Sequence, residues 1–365
     1  MHQPIVPNIY SVIIGSGSYI PTRKIANADF MDKVFYDAEG KKLTKTNEEI
    51  IRKFSDITGI FERRYVTDDL VASDIGFFAA QEALESAHID GETLDYIIVA
   101  HNFGDIKENN KRSEFVPALA SRVKHRLRIQ NSCAVGYDLP FGCAGWLQGL
   151  IQADFYIRSG AARRIMVIGT ETLSRIADPF DRDSMIYADG AGAVIVEARE
   201  NYKPVGILSH CSFTFANEHA YVLRMGASNN PDYKENHLFL KMQGRILYEH
   251  ALKIVPQVVK ESIERAGASI GDIDKVLIHQ ANTKMVDSIL KRLFEEYGIK
   301  QVPDNIMPLT ISWLGNSSVA TLPTLYDLLI KGKIENHTLK KGSTIVLASV
   351  GAGVNINSMV YKIPE

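Results

Sequence analysis

Two short stretches, LDYIIVAHN (residues 94–102) and DKVLIHQ (residues 274–280), carry the pattern that decides the fold. Each is a run of apolar residues that follows an aspartate and ends at a histidine, His101 in the first stretch and His279 in the second. Short runs rich in isoleucine, valine and leucine are typical of strands that are buried on both faces in an α/β protein. Each stretch therefore predicts a buried strand with a histidine at its carboxyl end.

Both predicted strands are followed by a similar strand at the same distance. IIV (97–99) is followed 69 residues later by MVI (166–168), and VLI (276–278) is followed 69 residues later by IVL (345–347). Between the members of each pair lies a glycine-led turn that opens a helical pattern, GCAGW in the first pair and GNSSVAT in the second. Equal spacing of similar segments indicates an internal duplication.

We therefore predict an α/β protein with two similar halves. Further β-rich runs such as SVIIGSG and GAVIVEA alternate with amphipathic segments along the chain, which is the pattern of α/β folds. The charged, proline-containing segment EARENYKPVG (197–206) is the predicted junction. The predicted halves are residues 1–200 and residues 201–365.

The composition is that of an ordinary soluble globular protein. The 365 residues are 45% hydrophobic and 23% charged, and the formal net charge is −2, so neither a nucleic acid nor an anionic membrane is an expected partner. No apolar stretch approaches the roughly 20 residues that span a bilayer, and the amino terminus has no signal-peptide pattern. The three cysteines have no CxxC spacing, which argues against a disulfide framework or a zinc site and predicts a cytoplasmic location.

Cys143 has the sequence setting of a nucleophile. It follows an irregular Pro-Phe-Gly turn in YDLPFGCAGW (137–146), and the apolar residues after it recur at helical spacing: Trp146, Leu147, Leu150, Ile151 and Phe155. The start of a helix favours an anion by roughly 0.3–1 kcal/mol, which is less than about one pKa unit. We therefore expect a partly ionised thiol that needs a basic partner. An inert buried cysteine is the alternative interpretation.

Two further residues are candidates for the same site. His279 stands at the carboxyl end of its predicted strand, where active sites of α/β sheets gather. A lone histidine there is more often structural, and His101 ends its own strand in the same way, so it is a competing candidate. Asn316 lies in the turn that opens the helical pattern of the second half. By itself, it is most simply a helix N-cap.

The motifs together resemble one known family. FGCAGW (141–146), YADGAGA (187–193), HQAN (279–282) and GNSSVAT (315–321) are similar, in order and spacing, to the signatures of the beta-ketoacyl-[acyl carrier protein] synthase III family. GSGSYIPTR, TGIFERR and DPFDRD are also similar to that family, so the resemblance covers nearly the whole chain. It implies an α/β thiolase-like fold, in which two similar α/β halves pack as a layered α-β-α-β-α core.

The resemblance also implies the reaction and the roles of its residues. Cys143 would take an acyl group from acyl-CoA or acyl carrier protein, and a malonyl thioester would then lose CO2 and form the new C–C bond to give a 3-oxoacyl thioester. His279 and Asn316 would donate hydrogen bonds to the malonyl thioester oxygen, contributions of roughly 3–4 kcal/mol each. The backbone N–H groups of Cys143 and Ala352 would hold the oxyanion of the acylation step. Ala352 stands where the family usually has a glycine, so its backbone angles must suit a residue with a Cβ.

The implied substrate-binding residues match the family less closely. Arg182 corresponds to the family arginine that packs near the adenine of coenzyme A, but its usual tryptophan partner is missing from residues 24–57. Lys284 stands where the family usually has an arginine that meets phosphopantetheine or the carrier protein, and a solvated helix lysine is the alternative interpretation. Asn282 and Gly353 are also expected to bind substrate.

The resemblance implies no metal and no resident cofactor, because coenzyme A or phosphopantetheine thioesters enter as substrates. Malonyl-acyl carrier protein is the expected partner, the expected pathway is fatty acid or related specialised biosynthesis, and the expected assembly is a homodimer. The glycine-rich stretches GSGSYI and DGAGAV do not match a nucleotide-binding loop, and we interpret them as tight turns and close backbone approaches.

Three other functions stay open at this level. An acyltransferase of the same fold would pass the acyl group from Cys143 to an oxygen or nitrogen acceptor. A thiol hydrolase would also use cysteine, histidine and asparagine, although its motifs differ. A non-catalytic partner subunit would not need the intact set. The acyl chain length is not predicted.

Overall fold

The computed structural model describes residues 8–365. Residues 1–7 lie outside the described residues; they belong to the predicted amino-terminal half and to the terminus in which no signal peptide is expected. Its strands are β1 (Asn8–Tyr19), β2 (Arg23–Ala26), β3 (Glu62–Tyr65), β4 (Tyr96–His101), β5 (Asp105–Lys107), β6 (Asn110–Glu114), β7 (Val135–Pro140), β8 (Arg164–Thr172), β9 (Asp189–Asn201), β10 (Gly206–Thr214), β11 (Leu223–Gly226), β12 (Phe239–Met242), β13 (Lys275–Ile278), β14 (Thr344–Gly351) and β15 (Asn355–Lys362). Its helices are α1 (Asn47–Thr58), α2 (Ala72–Ala87), α3 (Leu119–Arg126), α4 (Gly145–Arg158), α5 (Ala216–His219), α6 (Gly244–Arg265), α7 (Thr283–Glu295), α8 (Ile311–Leu314) and α9 (Thr321–Ile330).

Two mixed sheets repeat one topology. The first has the strand order β1-β9-β8-β4-β7, and the second has the order β10-β15-β14-β13. In the first sheet, β1 pairs antiparallel with β9, and β9 pairs antiparallel with β8. In the second sheet, β10 pairs antiparallel with β15, and β15 pairs antiparallel with β14. Strands β8 and β14 then each pair in parallel with an earlier one, β8 with β4 and β14 with β13. The predicted architecture of two similar α/β halves is therefore confirmed.

The equally spaced runs are parallel neighbours in each sheet, β4 beside β8 in the first and β13 beside β14 in the second. Ile97 lies opposite Met166 in the first sheet, and Val276 lies opposite Val346 in the second. The aspartate before each first strand has the same role in both halves. The Asp95 carboxylate accepts hydrogen bonds from backbone N–H groups at the start of β8, and the Asp274 carboxylate accepts one at the start of β14. The strand register supports an internal duplication.

Helices cover both faces of each sheet, so the helices and the two sheets together form five layers. Helices α4 and α9 share one core with the facing sides of both sheets, so they form the central layer. Helices α2 and α3 pack on the outer face of the first sheet, and α6 and α7 pack on the outer face of the second. Successive residues of one strand point to opposite faces of the sheet. Ile97 packs in the core beneath α2 and α3, and Ile98 packs in the core of the central layer. This explains why the strands are apolar without interruption.

The predicted junction is partly strand. Residues 197–201 continue β9, so the link between the sheets consists only of residues 202–205. Among the charged residues at the end of β9, Glu197 forms an ion pair with Arg164 of the neighbouring strand β8 at 2.5 Å. Only residues 202–205 of the charged segment 197–206 are therefore a linker, and its first half belongs to a strand.

Between residues 8 and 365, no helix combines the length and the apolar character needed to cross a bilayer. The longest, α6, has 22 residues but carries charged side chains along its length.

Candidate active site

Cys143 lies where the chain passes from strand β7 into helix α4. Residues Gly142–Ala144 form a short 3₁₀ turn, and α4 begins directly after it at Gly145. The predicted position at a helix start is therefore confirmed. Gly142 has a φ of +62°, a left-handed conformation that favours glycine at this point of the turn.

Cys143, His279 and Asn316 line one cavity of about 380 Å³. Its walls come from both halves of the chain, since Cys143 belongs to the first and the other two to the second. Most of the remaining lining is apolar: Phe103, Phe141, Leu173, Met225, Met242 and Met285. An apolar cavity with a few convergent polar groups is the usual form of a small-molecule site.

His279 is held in a dry environment as a neutral imidazole. It directly follows β13, its backbone N–H donates to the carbonyl of Ala348 at 2.8 Å, and only 2% of the residue is exposed. Burial lowers the pKa of His279 to about 4 because the charged imidazolium loses its solvation. Its Nδ1 has no hydrogen-bond partner among the described residues. A neutral imidazole carries one N–H, so His279 can donate a hydrogen bond to a substrate at pH 7.

Asn316 is oriented by its own loop. Its backbone N–H donates to the Ile186 carbonyl at 3.0 Å, and its carbonyl accepts from the N–H of Ala188 at 2.8 Å. The side-chain Oδ1 accepts from the N–H of Ser318 at 2.8 Å. With its acceptor end engaged in this way, the amide keeps Nδ2–H2 as the end available to an acceptor in the cavity.

The buried setting of Cys143 disfavours the thiolate form of its side chain. Burial raises the pKa of Cys143 to about 11, and the nearby Glu171 raises it further, while a hydrogen bond from Ser318 lowers it. The expectation that the start of α4 leaves the thiol partly ionised is therefore wrong. The reason is that loss of hydration in this buried site outweighs the modest attraction between a thiolate and a helix start.

The backbone N–H groups of Cys143 and Ala352 belong to two turns that pass each other closely. A Cβ on Gly142 would lie 2.5 Å from the nitrogen of Ala352, and a Cβ on Gly351 would collide with the nitrogen of Cys143. Ala352 does not adopt a positive φ, whereas Gly353 does, with a φ of +75°. The condition that the backbone angles of Ala352 suit a residue with a Cβ is therefore met.

Comparisons with known proteins agree with this architecture. Two family models match the chain, 3-oxoacyl-[acyl-carrier-protein (ACP)] synthase III over residues 137–212 and its C-terminal counterpart over residues 263–363. The 3-oxoacyl-[acyl-carrier-protein] synthase III from Aquifex aeolicus is 27% identical, with a TM-score of 0.76, over 96% of this chain and 99% of that one. The chain belongs to the synthase III family. It is thus an acyltransferase with the thiolase-like fold that its motifs predict.

Two further solved structures are similar to this synthase III family member. The beta-ketoacyl-[acyl carrier protein] synthase III from Thermus thermophilus is 27% identical, with a TM-score of 0.77, over 96% of this chain and 98% of that one. The priming beta-ketosynthase from the R1128 polyketide biosynthetic pathway is 25% identical, with a TM-score of 0.79, over the whole of this chain and 99% of that one. A synthase III and a polyketide priming ketosynthase therefore share this fold.

The four implied substrate-binding residues occupy different settings in this synthase III family member. Gly353 lines the cavity. Arg182 and Lys284 are exposed, and the guanidinium of Arg182 lies 4.0 Å from the carboxylate of Asp183. The side chain of Asn282 accepts from the N–H of Met285 at 3.1 Å, so it caps α7. Their roles toward a substrate stay predictions.

Three polar residues near Cys143 were missed by the sequence analysis. Ser318 donates to the sulfur of Cys143 at 3.1 Å, Asn102 donates to Ser318, and Glu171 accepts from Asn102. Ser318 lies inside the GNSSVAT motif, whereas nothing in the sequence pattern singled out Glu171. His101, the competing histidine, instead contacts the Asp138 carboxylate at 3.0 Å and accepts from the N–H of Gly104.

We expect alkylation of Cys143 to accelerate with pH up to at least pH 10. A variant with Cys133→Ser and Cys211→Ala leaves Cys143 as the reactive thiol, and intact-protein mass after iodoacetamide treatment gives the rate at each pH. Because the pKa of the thiol is raised to about 11, the thiolate fraction and the rate should rise about tenfold per pH unit from pH 7. A plateau of the rate below pH 8 would contradict this environment for the thiol.

Gly142→Ala should be more damaging than an alanine at another left-handed glycine. Gly267 has a φ of +69°, and a Cβ at this position would meet no described atom within 4 Å. Gly267→Ala therefore tests the backbone conformation alone and should lower the free energy of unfolding by about 1 kcal/mol. Gly142→Ala adds the collision with Ala352 and should lower it at least twice as much, with loss of acylation. Urea denaturation of both variants measures the difference, and equal losses would show that the two turns yield easily.

Proposed function

We propose that this chain is a decarboxylating condensing enzyme that joins an acyl primer, held on Cys143, to a malonyl thioester. The product is a 3-oxoacyl thioester. The proposal is supported by membership of the synthase III family and rests on one observation, the shared cavity of Cys143, His279 and Asn316. No metal or resident cofactor takes part in it.

In the first step, Cys143 attacks the carbonyl carbon of an acyl thioester. The new C–S bond to Sγ forms as the bond to the donor thiol breaks, and the proton of Cys143 leaves with the donor thiol. The backbone N–H groups of Cys143 and Ala352 are the donors for the oxyanion. Their turns are held together without side chains between them, so these donors are ordered before the substrate arrives.

In the second step, the malonyl thioester loses CO2 and the resulting enolate attacks the acyl group on Cys143. Negative charge develops on the thioester oxygen, which needs hydrogen-bond donors rather than a base. Neutral His279 and the Nδ2–H2 of Asn316 are suitable donors, because a pKa of about 4 keeps the imidazole uncharged. Removal of one such donor typically lowers kcat by roughly 10²–10³.

The proposed acyl donor is acyl-CoA or acyl carrier protein, and malonyl-acyl carrier protein is the proposed second substrate. Arg182 and Lys284 are exposed, which suits contact with the mobile arm or the carrier itself. We place the reaction in fatty acid or related specialised biosynthesis in the cytoplasm, by analogy with the family.

Intact-protein mass and CO2 release test the two steps separately. We expect a mass gain of one acyl group from at least one donor in a panel of acyl-CoA and acyl-carrier thioesters, and no gain in Cys143→Ala. His279→Ala and Asn316→Ala should still be acylated, but should release CO2 from malonyl thioester roughly 10²-fold more slowly.

Each contrary outcome identifies a different error. No adduct from any donor would overturn the role of Cys143. An acylated enzyme that leaves malonyl thioester intact would favour the acyltransferase with an oxygen or nitrogen acceptor, and release of free acid alone would favour a hydrolase.

We also propose that two copies of the chain form a homodimer through the edge of the first sheet. Strand β7 ends the strand order and, within residues 8–365, has no neighbour on its outer side. Phe115, Val116 and Val135 are exposed apolar residues on β7 or just before α3, which packs on β7. Exposed edges and apolar patches are covered in stable proteins.

Light scattering should give twice the mass of one chain. Val135→Lys should shift the assembly toward the monomer, because it places a charge on the edge strand β7. The control Tyr202→Lys changes an exposed residue outside this edge and should leave the dimer intact. A monomeric parent chain at micromolar concentration would contradict the proposal.

A further inference from the structure

We propose that Ser318 is a further catalytic residue, whose hydroxyl donates to the sulfur of Cys143, and that Asn102 and Glu171 are positioning residues that fix the direction of this hydrogen bond. The inference deepens the proposed function, since it rests on Cys143 as the nucleophile. It goes beyond the three catalytic residues because it assigns a device that acts on the sulfur rather than on the substrate oxygen.

The contact between Ser318 and Cys143 is built by an unusual backbone. Ser318 has a φ of +53°, a left-handed conformation that a non-glycine residue seldom adopts. Its N–H donates to Oδ1 of Asn316 at 2.8 Å, which holds that conformation. In this position its Oγ lies 3.1 Å from the sulfur of Cys143. Strained residues concentrate at functional sites, and here the strain directs a hydroxyl at the nucleophile.

Asn102 determines which way the Ser318 hydroxyl points. The Nδ2 of Asn102 donates one hydrogen to Oε2 of Glu171 at 2.7 Å and the other to Oγ of Ser318 at 3.2 Å. An amide nitrogen only donates, so Oγ of Ser318 must accept on that side. A hydroxyl has a single proton, and the proton of Ser318 is therefore left for the sulfur of Cys143.

Glu171 anchors the chain of hydrogen bonds. It lies near the end of β8 and is fully buried, and its Oε2 also accepts from the backbone N–H of Asn102 at 2.9 Å. Asn102 directly follows β4, the parallel neighbour of β8, so both residues come from adjacent carboxyl ends of one sheet. While Glu171 is ionised, both N–H groups of Asn102 donate to its carboxylate, and a turned amide would instead place its oxygen against a carboxylate oxygen. Burial raises the pKa of Glu171 to about 7, so this orientation is fixed at the higher pH values of the alkylation profile.

Among the described residues, few titratable groups surround this series of hydrogen bonds. His101 and Asp189 face Glu171, and His101 is itself held by Asp138. Glu171 and Tyr187 are the titratable neighbours that interact with Cys143, and His279 shares its cavity. Glu171 and Ser318 act on the thiol in opposite directions, because the carboxylate raises the pKa of Cys143 and the hydroxyl lowers it.

A fixed donor at the sulfur serves both proposed steps. When Cys143 attacks the acyl donor, the sulfur carries developing negative charge as its proton leaves. When the enolate attacks the acyl group, the C–S bond to Cys143 breaks and the electron pair returns to the sulfur as a thiolate. Ser318 stabilises the sulfur in both cases without giving up its proton.

The pH profile of Cys143 alkylation tests the chain of hydrogen bonds, with Cys133→Ser and Cys211→Ala as the background. Ser318→Ala should slow iodoacetamide alkylation at pH 8 roughly tenfold and move the profile to higher pH, since the thiolate loses a charge-assisted hydrogen bond. Asn102→Leu should move it in the same direction by less. Glu171→Gln should move it to lower pH, because the glutamine oxygen still accepts from Asn102 while the negative charge is removed.

Ser317→Ala is the matched control. Among the described residues, the hydroxyl of Ser317 hydrogen-bonds only with Thr321, at 3.4 Å, so the alkylation profile of Ser317→Ala should coincide with that of the parent. Coinciding profiles for Ser318→Ala and the parent would overturn the inference. Equal shifts in one direction for Ser318→Ala and Glu171→Gln would also overturn it, because they would report a loosened site rather than opposed effects.

The two proposals fail in different ways in these experiments. Iodoacetamide needs no acyl donor, so the alkylation profiles report on Ser318 whether or not an acyl-enzyme forms. A parent chain that is never acylated overturns the proposed function. A parent chain that is acylated as fast as Ser318→Ala overturns the role of Ser318 alone, and we expect the variant to be acylated roughly tenfold more slowly at subsaturating donor.

Discussion

The candidate site depends on the close approach of two backbone turns, one from each half of the molecule. The turn before α4 carries Cys143, and the turn after β14 carries Ala352, and they meet through main-chain atoms because Gly142 and Gly351 leave no Cβ between them. Ser349 adds a hydrogen bond from its Oγ to the carbonyl of Cys143 at 3.0 Å. This contact brings two N–H groups together and joins the two sheets at the cavity.

The duplicated fold explains why the site lies at this contact. In each half, the parallel strands end toward the site, with β4 leading to Asn102 and β13 leading to His279. The helix that follows each glycine-led turn, α4 or α9, then enters the central layer between the sheets. Cys143 comes from one half and His279 and Asn316 come from the other, so the two halves present different side chains to one cavity.

Burial controls the chemistry of the free enzyme. Loss of hydration keeps the thiol of Cys143 protonated and the imidazole of His279 neutral at pH 7. The same dry environment strengthens each hydrogen bond offered to a substrate oxygen or to the sulfur. A neutral resting site with directed donors is suited to reactions in which negative charge appears only as bonds change.

The sequence by itself determined the duplicated α/β fold and the family, because buried strands produce continuous apolar runs and the motifs of both halves occur in order. It also placed Cys143 at the start of α4, since the helical spacing of its apolar residues is local information. The protonation of Cys143, the pairing of His101 with Asp138 and the hydrogen bonds from Glu171 to Ser318 were decided only by the tertiary structure. These properties depend on burial and on contacts between residues that are far apart in the chain, so no local sequence pattern predicts them.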